Sequence, residues 1–505
     1  MRLSGLAVLA AIALAGCTGT PRLGKGAPSA DRPNILIVMT DDQSWPHASA
    51  YGSDLVDTPA FDRIARSGVL LDNGWVSAPS CGPSRASLIT GQDFWRLGPA
   101  AMNHTIWQAG TETVFDHLAR AGYATGFTGK GWAPGNYKVA GRTESPTGPG
   151  FNAHRIAQPG SKVSKVDYSA NFDDFLKGAG DKPFLFWVGI NEPHRPYFEG
   201  VGKLNGKVVE PGEVPDYVPD EPAARGDVAD YAYEIEWADG ELGEILDTLE
   251  KRGELSNTLI VFTSDNGMPF PRAKGMLYAS GAHMPMAIAW PAGFAGGRRS
   301  AQFVQMPDFG PTIMAAAGLP IPTEMNGHDL LPMLRGQVQT LRDEAVMGME
   351  RHFPGGRPDG AGYPSRALRT AEWLFVRNYT PDAYPAGNPQ SDVWPEDDPT
   401  GGFGDVDGGP TKTLIVKDRA RLAQWYDRAF GKRPAEELYA VRDGKTEYVN
   451  LAADPKYAAV RKELSARLQR ELVRREDPRA MGRGSEFDAW MRKYPVMGSN
   501  EAGLQ

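Results

Sequence analysis

Three stretches of this chain share one pattern, an unbroken apolar and β-branched run that stops abruptly at acids, amides or histidine. "PNILIVMTDD" ends in Asp41 and Asp42, "KPFLFWVGINEPHRPY" reaches His194, and "NTLIVFTSDNG" ends in Asp265 and Asn266. Runs of this length suit strands buried on both faces, as in a parallel sheet. Between the second and third runs the period becomes helical. Val228, Tyr231, Ile235, Leu242, Ile245 and Leu249 keep near-helical spacing from about Asp227 to Arg252, and Gly253 closes the segment. This alternation predicts an α/β fold with a large, mostly parallel sheet flanked by helices. In open α/β sheets ligands gather beyond the carboxyl ends of the strands, so the three polar tails are expected to converge.

Past about residue 345 the texture changes. Residues 350–412 are crowded with Gly, Pro, Asp and aromatics around short strand candidates such as "EWLFVRNY". Later, "EELYAVRDGKTEYVNLAADPKYAAVRKELSARLQREL" reads as a strand, a turn and an amphipathic helix. The expected organisation is a catalytic domain over 32–345, then a smaller C-terminal domain over 346–485 with a short antiparallel sheet and a helix. Residues 486–505 read as a tail. At the other end, "MRLSGLAVLAAIALAGCTGT" places Arg2 before an apolar stretch too short to span a bilayer comfortably. Leu14-Ala15-Gly16-Cys17 resembles a bacterial lipobox. Residues 1–17 therefore read as a lipoprotein signal with Cys17 as the acylated residue, and 18–31 as a flexible tether. The expected location is the bacterial cell envelope, held to the outer membrane or facing the periplasm through an N-terminal lipid.

Composition narrows the classes. The chain has 505 residues, 41% of them hydrophobic, and 12 tryptophans, which suits a loop-rich enzyme with a sizeable core. A net charge of −8 with no basic stripe argues against nucleic acid as a partner. With Cys17 lipidated, Cys81 has no disulfide partner, and an odd cysteine in an exported chain calls for an explanation.

The strand-end residues Asp41, Asp42, Asp265 and Asn266 are hard oxygen ligands, suited to Ca²⁺ or Mg²⁺ rather than zinc. Asp-Asp or Asp-Asn-Gly alone reads as a turn. Two such groups at the ends of separate buried strands favour a metal site, because neighbouring carboxylates repel unless a cation lies between them. "CGPSRASLITG" puts Cys81 at the start of a short helix that Gly91 terminates, a place that favours an anion, and Arg85 adds a fork-shaped positive charge. Lys130 in "GFTGKGWAPG" and Lys274 in "RAKGMLY" are candidate anion contacts, although each alone reads as a surface lysine. "TGKGW" is not a phosphate-binding P-loop, since glycine follows the lysine. His194, between two prolines, fits a packed turn as well as a catalytic role. Together the set describes a site for a tetrahedral oxyanion beside a hard divalent cation.

In this set and order the chain resembles the type I sulfatases of the alkaline-phosphatase-like superfamily, over roughly residues 31–475. Cys81-Gly82-Pro83-Ser84-Arg85 matches the C-x-P-S-R signature, Asp41-Asp42 and "TSDNG" match the two metal pairs, and Lys130, His194 and Lys274 fall at "GK", "PHxP" and the later lysine. The resemblance implies that Cys81 becomes formylglycine, made by a formylglycine-generating or anaerobic sulfatase-maturating enzyme. It also implies Ca²⁺, in preference to Mg²⁺, bound by Asp41, Asp42, Asp265, Asn266 and the formylglycine oxygen. Arg85, Lys130 and Lys274 would hold sulfate oxygens, and His194 with Lys274 would protonate the leaving group. One position departs. Many relatives read G-K-x-H, but Trp132 stands here, leaving a metal-ligand carboxylate or a distant histidine such as His104 to assist sulfate expulsion.

"DNGMPFP" and the stretch before it most resemble the heparan N-sulfatase (sulfamidase) branch. That implies a sulfated sugar or polysaccharide as substrate, with N- and O-linked sulfate both open. Glu350, Arg351, His352, Arg366 and Arg369, in "ERHFPGGRPDGAGYPSRALRT", are candidates for sugar contacts or for a structural salt-bridge cluster. A phosphodiesterase or phosphonate monoester hydrolase of the same superfamily is the alternative among enzymes. A glycan-binding surface lipoprotein without catalysis is the alternative outside them, weakened because every metal position is filled.

Overall fold

The computed structural model describes residues 32–157, 162–390, 401–441 and 447–495. Cys17 and the tether fall outside the described residues. The three apolar runs are strands, Asn34–Thr40, Phe184–Ile190 and Thr258–Ser264, each buried along its whole length. They form the middle of a seven-stranded sheet whose order is Ala124–Gly129, Phe184–Ile190, Asn34–Thr40, Thr258–Ser264, Ala287–Ala289, Val69–Trp75 and Arg298–Gln305. Ala287–Ala289 runs antiparallel to both neighbours and the other pairings are parallel.

Strand periodicity divides the core. Ile35, Ile37, Met39, Leu185, Trp187, Leu259 and Val261 belong to one face, packed with Ala86, Leu88 and Ile89 of helix Cys81–Thr90 and with Ile313 of helix Phe309–Ala316. Leu36, Val38, Phe186, Val188, Ile260 and Phe262 belong to the other. They meet Phe61 of helix Pro59–Ser67, Phe175 of helix Tyr168–Ala179, and Leu242, Ile245 and Leu249 of the long helix Pro222–Lys251. That helix begins five residues before the expected Asp227, with Pro222 in its first turn, where a missing N–H costs nothing. Register then fixes the site. Thr40 lies opposite both Ile190 and Ser264, so the residues that follow the three strands come level at one edge.

A second sheet of four antiparallel strands follows, Glu344–Met349, Ser365–Thr370, Trp373–Asn378 and Glu436–Ala440. Ala345, Met347, Ala367 and Val376 continue the main core, whereas Val346, Leu368, Phe375 and Leu438 pack under Leu464, Leu468 and Leu472 of helix Ala458–Arg474. The expected tail at 486–505 is corrected in its described part. Ser485–Lys493 is a helix whose Phe487 and Met491 are buried in the same cluster. No helix among the described residues is long and apolar enough to cross a membrane.

Candidate active site

Two strand ends and one helix start bring the first group together. Asp41, Asp42, Asp265, Asn266 and Arg85 are completely buried, and Cys81 is 3% exposed. Asp41, Asp42, Cys81 and Asp265 each offer a ligand atom, and these atoms all lie within 4.8 Å of one another. Asp42 adopts φ 73°, the left-handed region that a residue with a β-carbon avoids, and its N–H donates to Asp265 Oδ1 at 3.2 Å. Strain of this kind persists where the surroundings hold it. Asn266 Nδ2 donates to Asp42 Oδ1 at 2.6 Å, while its own buried Oδ1 has no hydrogen-bond partner.

The charges fit a bound cation. Burial, aided by the Asp41 charge and opposed by Lys274, pushes Asp42 up to about 7. Burial and Asp41 push Asp265 up to about 6 despite Arg85. Asp41 goes the other way, because Lys130, His194 and Arg85 outweigh its burial. Three carboxylates and an unsatisfied amide oxygen form a hard-oxygen donor set of the kind Ca²⁺ or Mg²⁺ takes. The residues fit such an ion.

Cys81 opens a wholly buried helix, with its Sγ 3.6 Å from Asp41 Oδ1. Burial, with Asp41 and Asp265 adding to it, pushes the thiol well above its ordinary range. Arg85, one turn on, is used mostly by the protein. Nε donates to Asp265 Oδ2 at 2.8 Å and Nη1 to the carbonyls of Lys130 and Gly131, which leaves the buried Nη2 without a hydrogen bond. Its expected grip on sulfate is thus reduced to one nitrogen, and its larger task is to hold Asp265 and the Lys130 backbone.

Two lysines carry the anion side. Lys130 follows Gly129, whose φ of 72° and position 2.1 Å (from a would-be β-carbon) to the Gly189 carbonyl admit only glycine. The turn drives Lys130 inward, where its ammonium pairs with Asp41. Lys274 lies 2.9 Å from Asp42 Oδ2 and 3.1 Å from Asp407 Oδ2. His194 donates from Nδ1 to the Arg195 carbonyl and brings Nε2 to 3.9 Å from Asp42 Oδ2. Burial and the nearby Lys274 lower its pKa. All five expected catalytic residues and all expected metal ligands are therefore in one cluster.

The other expectations divide. Trp132, at the departing position, is fully buried and stands edge-on to Trp107 at 5.0 Å, a core residue. His104 stacks edge-on against Phe353, and burial lowers its pKa to about 3. Of the five candidate sugar contacts, only His352 reaches the site. Its Nδ1 pairs with the hydroxyl of Ser80, the residue before Cys81, at 2.8 Å. For Glu350 and Arg366 the salt-bridge alternative holds, while Arg351 is tied to backbone carbonyls. Glu350 and Arg366 are fully buried in an ion cluster with Asp477 and Arg479, and Arg351 donates to the carbonyls of Gly360, Asn103 and Tyr494. Arg369 lies over the Trp75 ring at 5.3 Å. Sequence reasoning missed Asn103, whose Oδ1 accepts from the Gly82 N–H at 2.7 Å, and Asp407. "GDVDGG" has the composition of a turn, and nothing local marks its second acid.

Residues 33–319, more than half of the chain, match the sulfatase family model. The chain belongs to the sulfatase family. A second model, the C-terminal part of N-sulphoglucosamine sulphohydrolase, matches residues 272–380 of this sulfatase. The human N-sulphoglucosamine sulphohydrolase is 27% identical over 88% of the chain and 91% of its own length. An ulvan-active sulfatase of Formosa agariphila is 26% identical over 88% of the chain and 81% of its own. A solved structure in complex with its substrate D-glucosamine-2-N,6-O-disulfate superposes with a TM-score of 0.63 at 20% identity, covering 88% of this chain and 98% of that one. The fold is the sulfatase fold of the alkaline-phosphatase-like superfamily, near the sulfamidase branch. The enzyme hydrolyses a sulfate ester or a sulfamate.

Proposed function

We propose that this sulfatase removes O- or N-linked sulfate from a sulfated sugar, with formylglycine derived from Cys81 as its nucleophilic group and Ca²⁺ as its metal. One observation carries the reading. Cys81 sits at a buried helix start inside the same 4.8 Å cluster as Asp41, Asp42 and Asp265, where the charges of Lys130 and Lys274, paired with Asp41 and Asp42, act on it. When present, the cation supplies Lewis-acid charge and the hydrated aldehyde supplies a hydroxyl nucleophile.

Asp41, Asp42, Asp265 and Asn266 Oδ1 would hold the ion. Lys130 and Lys274 would orient the sulfate oxygens with ammonium groups fixed in a dry site, where charge acts more strongly than in water. Arg85 keeps Asp265 and the Lys130 backbone in place and offers Nη2 to the anion. His194, with Nδ1 donating to the Arg195 carbonyl, would deliver a proton from Nε2 to the departing atom in its doubly protonated form, with Asp42 Oδ2 3.9 Å away. An amine leaves less readily than a sugar hydroxyl, so N–S cleavage depends more on that proton.

The N-sulphoglucosamine sulphohydrolase match over 272–380 favours an N-sulfoglucosamine end group, and the ulvan-active relative keeps O-sulfated polysaccharide in view. Sulfate release from defined sugars, before and after chelation, tests the proposal. N-sulfoglucosamine should be hydrolysed faster than its 6-O-sulfated, N-acetylated counterpart, and Ca²⁺ should restore chelated enzyme. The reverse order would remove the N-sulfatase reading, and turnover that survives chelation with no detectable metal would remove calcium. The reading also includes export and lipidation at Cys17. Labelled fatty acid should enter the wild type and not Cys17→Ser, and a soluble, unlabelled wild type would contradict the anchor.

A further inference from the structure

Asp407 is an acid in direct contact with the site that the proposed chemistry does not use. Its Oδ2 lies 3.1 Å from Lys274 Nζ, and the same ammonium is 2.9 Å from Asp42 Oδ2. One lysine is thus shared between a carboxylate of the metal cluster and a carboxylate from the loop before helix Pro410–Lys417. The Asp407 side chain is 22% exposed, against 3% for Lys274, so the acid caps the lysine from the open side. His194, His352, Arg195 and Asp42 are further titratable or charged groups that act on it.

The loop that presents Asp407 is built to hold its shape. Lys412, 1% exposed, places its ammonium inside the loop and donates to the carbonyls of Gly402, Phe403 and Val406 at 3.0, 3.2 and 2.8 Å. Gly402 and Phe403 take the left-handed backbone that this curl requires, at φ 77° and 52°. Asp405 accepts the Phe353 N–H at 2.9 Å and pairs with Arg357 at 2.7 Å. Beyond the loop, Asp227 Oδ2 accepts from both the N–H and the hydroxyl of Thr411 and pairs with Arg195, the neighbour of His194. A buried ammonium is tolerated only where its donors are satisfied, so Lys412 fixes the loop in this form.

We propose that Asp407 is a positioning residue for Lys274. Lysine carries its charge on a flexible four-carbon stem, so a single carboxylate partner leaves the ammonium poorly placed. With Asp42 alone, Lys274 would settle on a residue that the cation needs. Asp407 draws the ammonium to a point between the two acids, where it faces the anion side of the cluster. This rests on Lys274 contacting the sulfate group, as proposed above.

A double-mutant cycle with a sulfated sugar tests it, with melting curves as a control of folding. Asp407→Asn should lower kcat by about tenfold or more with a smaller change in KM, and Asp407→Glu should recover part of the loss. On a Lys274→Ala background, Asp407→Asn should cost less than about twofold further, because the residue it positions is gone. Losses that simply multiply would overturn the proposal, as would an Asp407→Asn enzyme with wild-type kcat. Wild-type turnover in Lys274→Ala would also overturn it, while leaving sulfatase activity standing.

Discussion

Arg85 carries two burdens that the sequence signature does not separate. It is fully buried, and its Nε holds Asp265 while Nη1 ties down the carbonyls of Lys130 and Gly131. Arg85→Met should leave Asp265 crowded against Asp41 and Asp42 without its guanidinium. Loss of one partner of a buried pair costs about 3–5 kcal/mol, so urea melts should shift by that order. Arg85→Lys should be intermediate, as it keeps the charge and loses the fork. Melts that match the wild type would contradict the structural role. The strand-end ligands were legible because each follows an apolar run, where an acid needs a reason to be. Asp407 was not legible. Its partner Lys274 is distant in sequence, and only the fold brings the two to 3.1 Å. For Glu350 and Arg366 the sequence left sugar contact and salt bridge both open, for a related reason. Their partners Asp477 and Arg479 lie far along the chain, so only the fold decides for the ion cluster.

At the scale of elements, long apolar runs revealed the central strands, and near-helical spacing revealed most of helix Pro222–Lys251. Its first five residues were missed because only Ala224 among them is buried, so they carry no apolar period. The helix Ser485–Lys493 escaped notice because Phe487 and Met491 are its only buried residues, too few to set a period. Arg366 in strand Ser365–Thr370 ties this region to the sheet through Glu350 and Asp477. Arg366→Ala should therefore destabilise the protein by about 3–5 kcal/mol, since buried Asp477 loses its cation and Glu350 keeps only Arg479. The enzyme that remains folded should keep its KM for a sulfated sugar within about twofold. An unchanged melt with a raised KM would instead return Arg366 to the substrate.

Across the whole molecule, the first sheet supplies the edge that carries the candidate metal ligands, and the elements that follow supply its wall. Asp41, Asp42 and Asp265 come from ends of adjacent parallel strands, Cys81 from a helix on one face, and His352 and Asp407 from the later segments. The proposed chemistry depends on the conversion of Cys81 to formylglycine in the working enzyme. Mass spectrometry of the peptide spanning Cys81, from protein made in a host with sulfatase maturation and assayed for sulfate release, tests this most directly. The thiol should be replaced by a hydrazide-reactive aldehyde in proportion to turnover, and Cys81→Ala should fold but release almost no sulfate. Full turnover with an unmodified thiol would contradict the account.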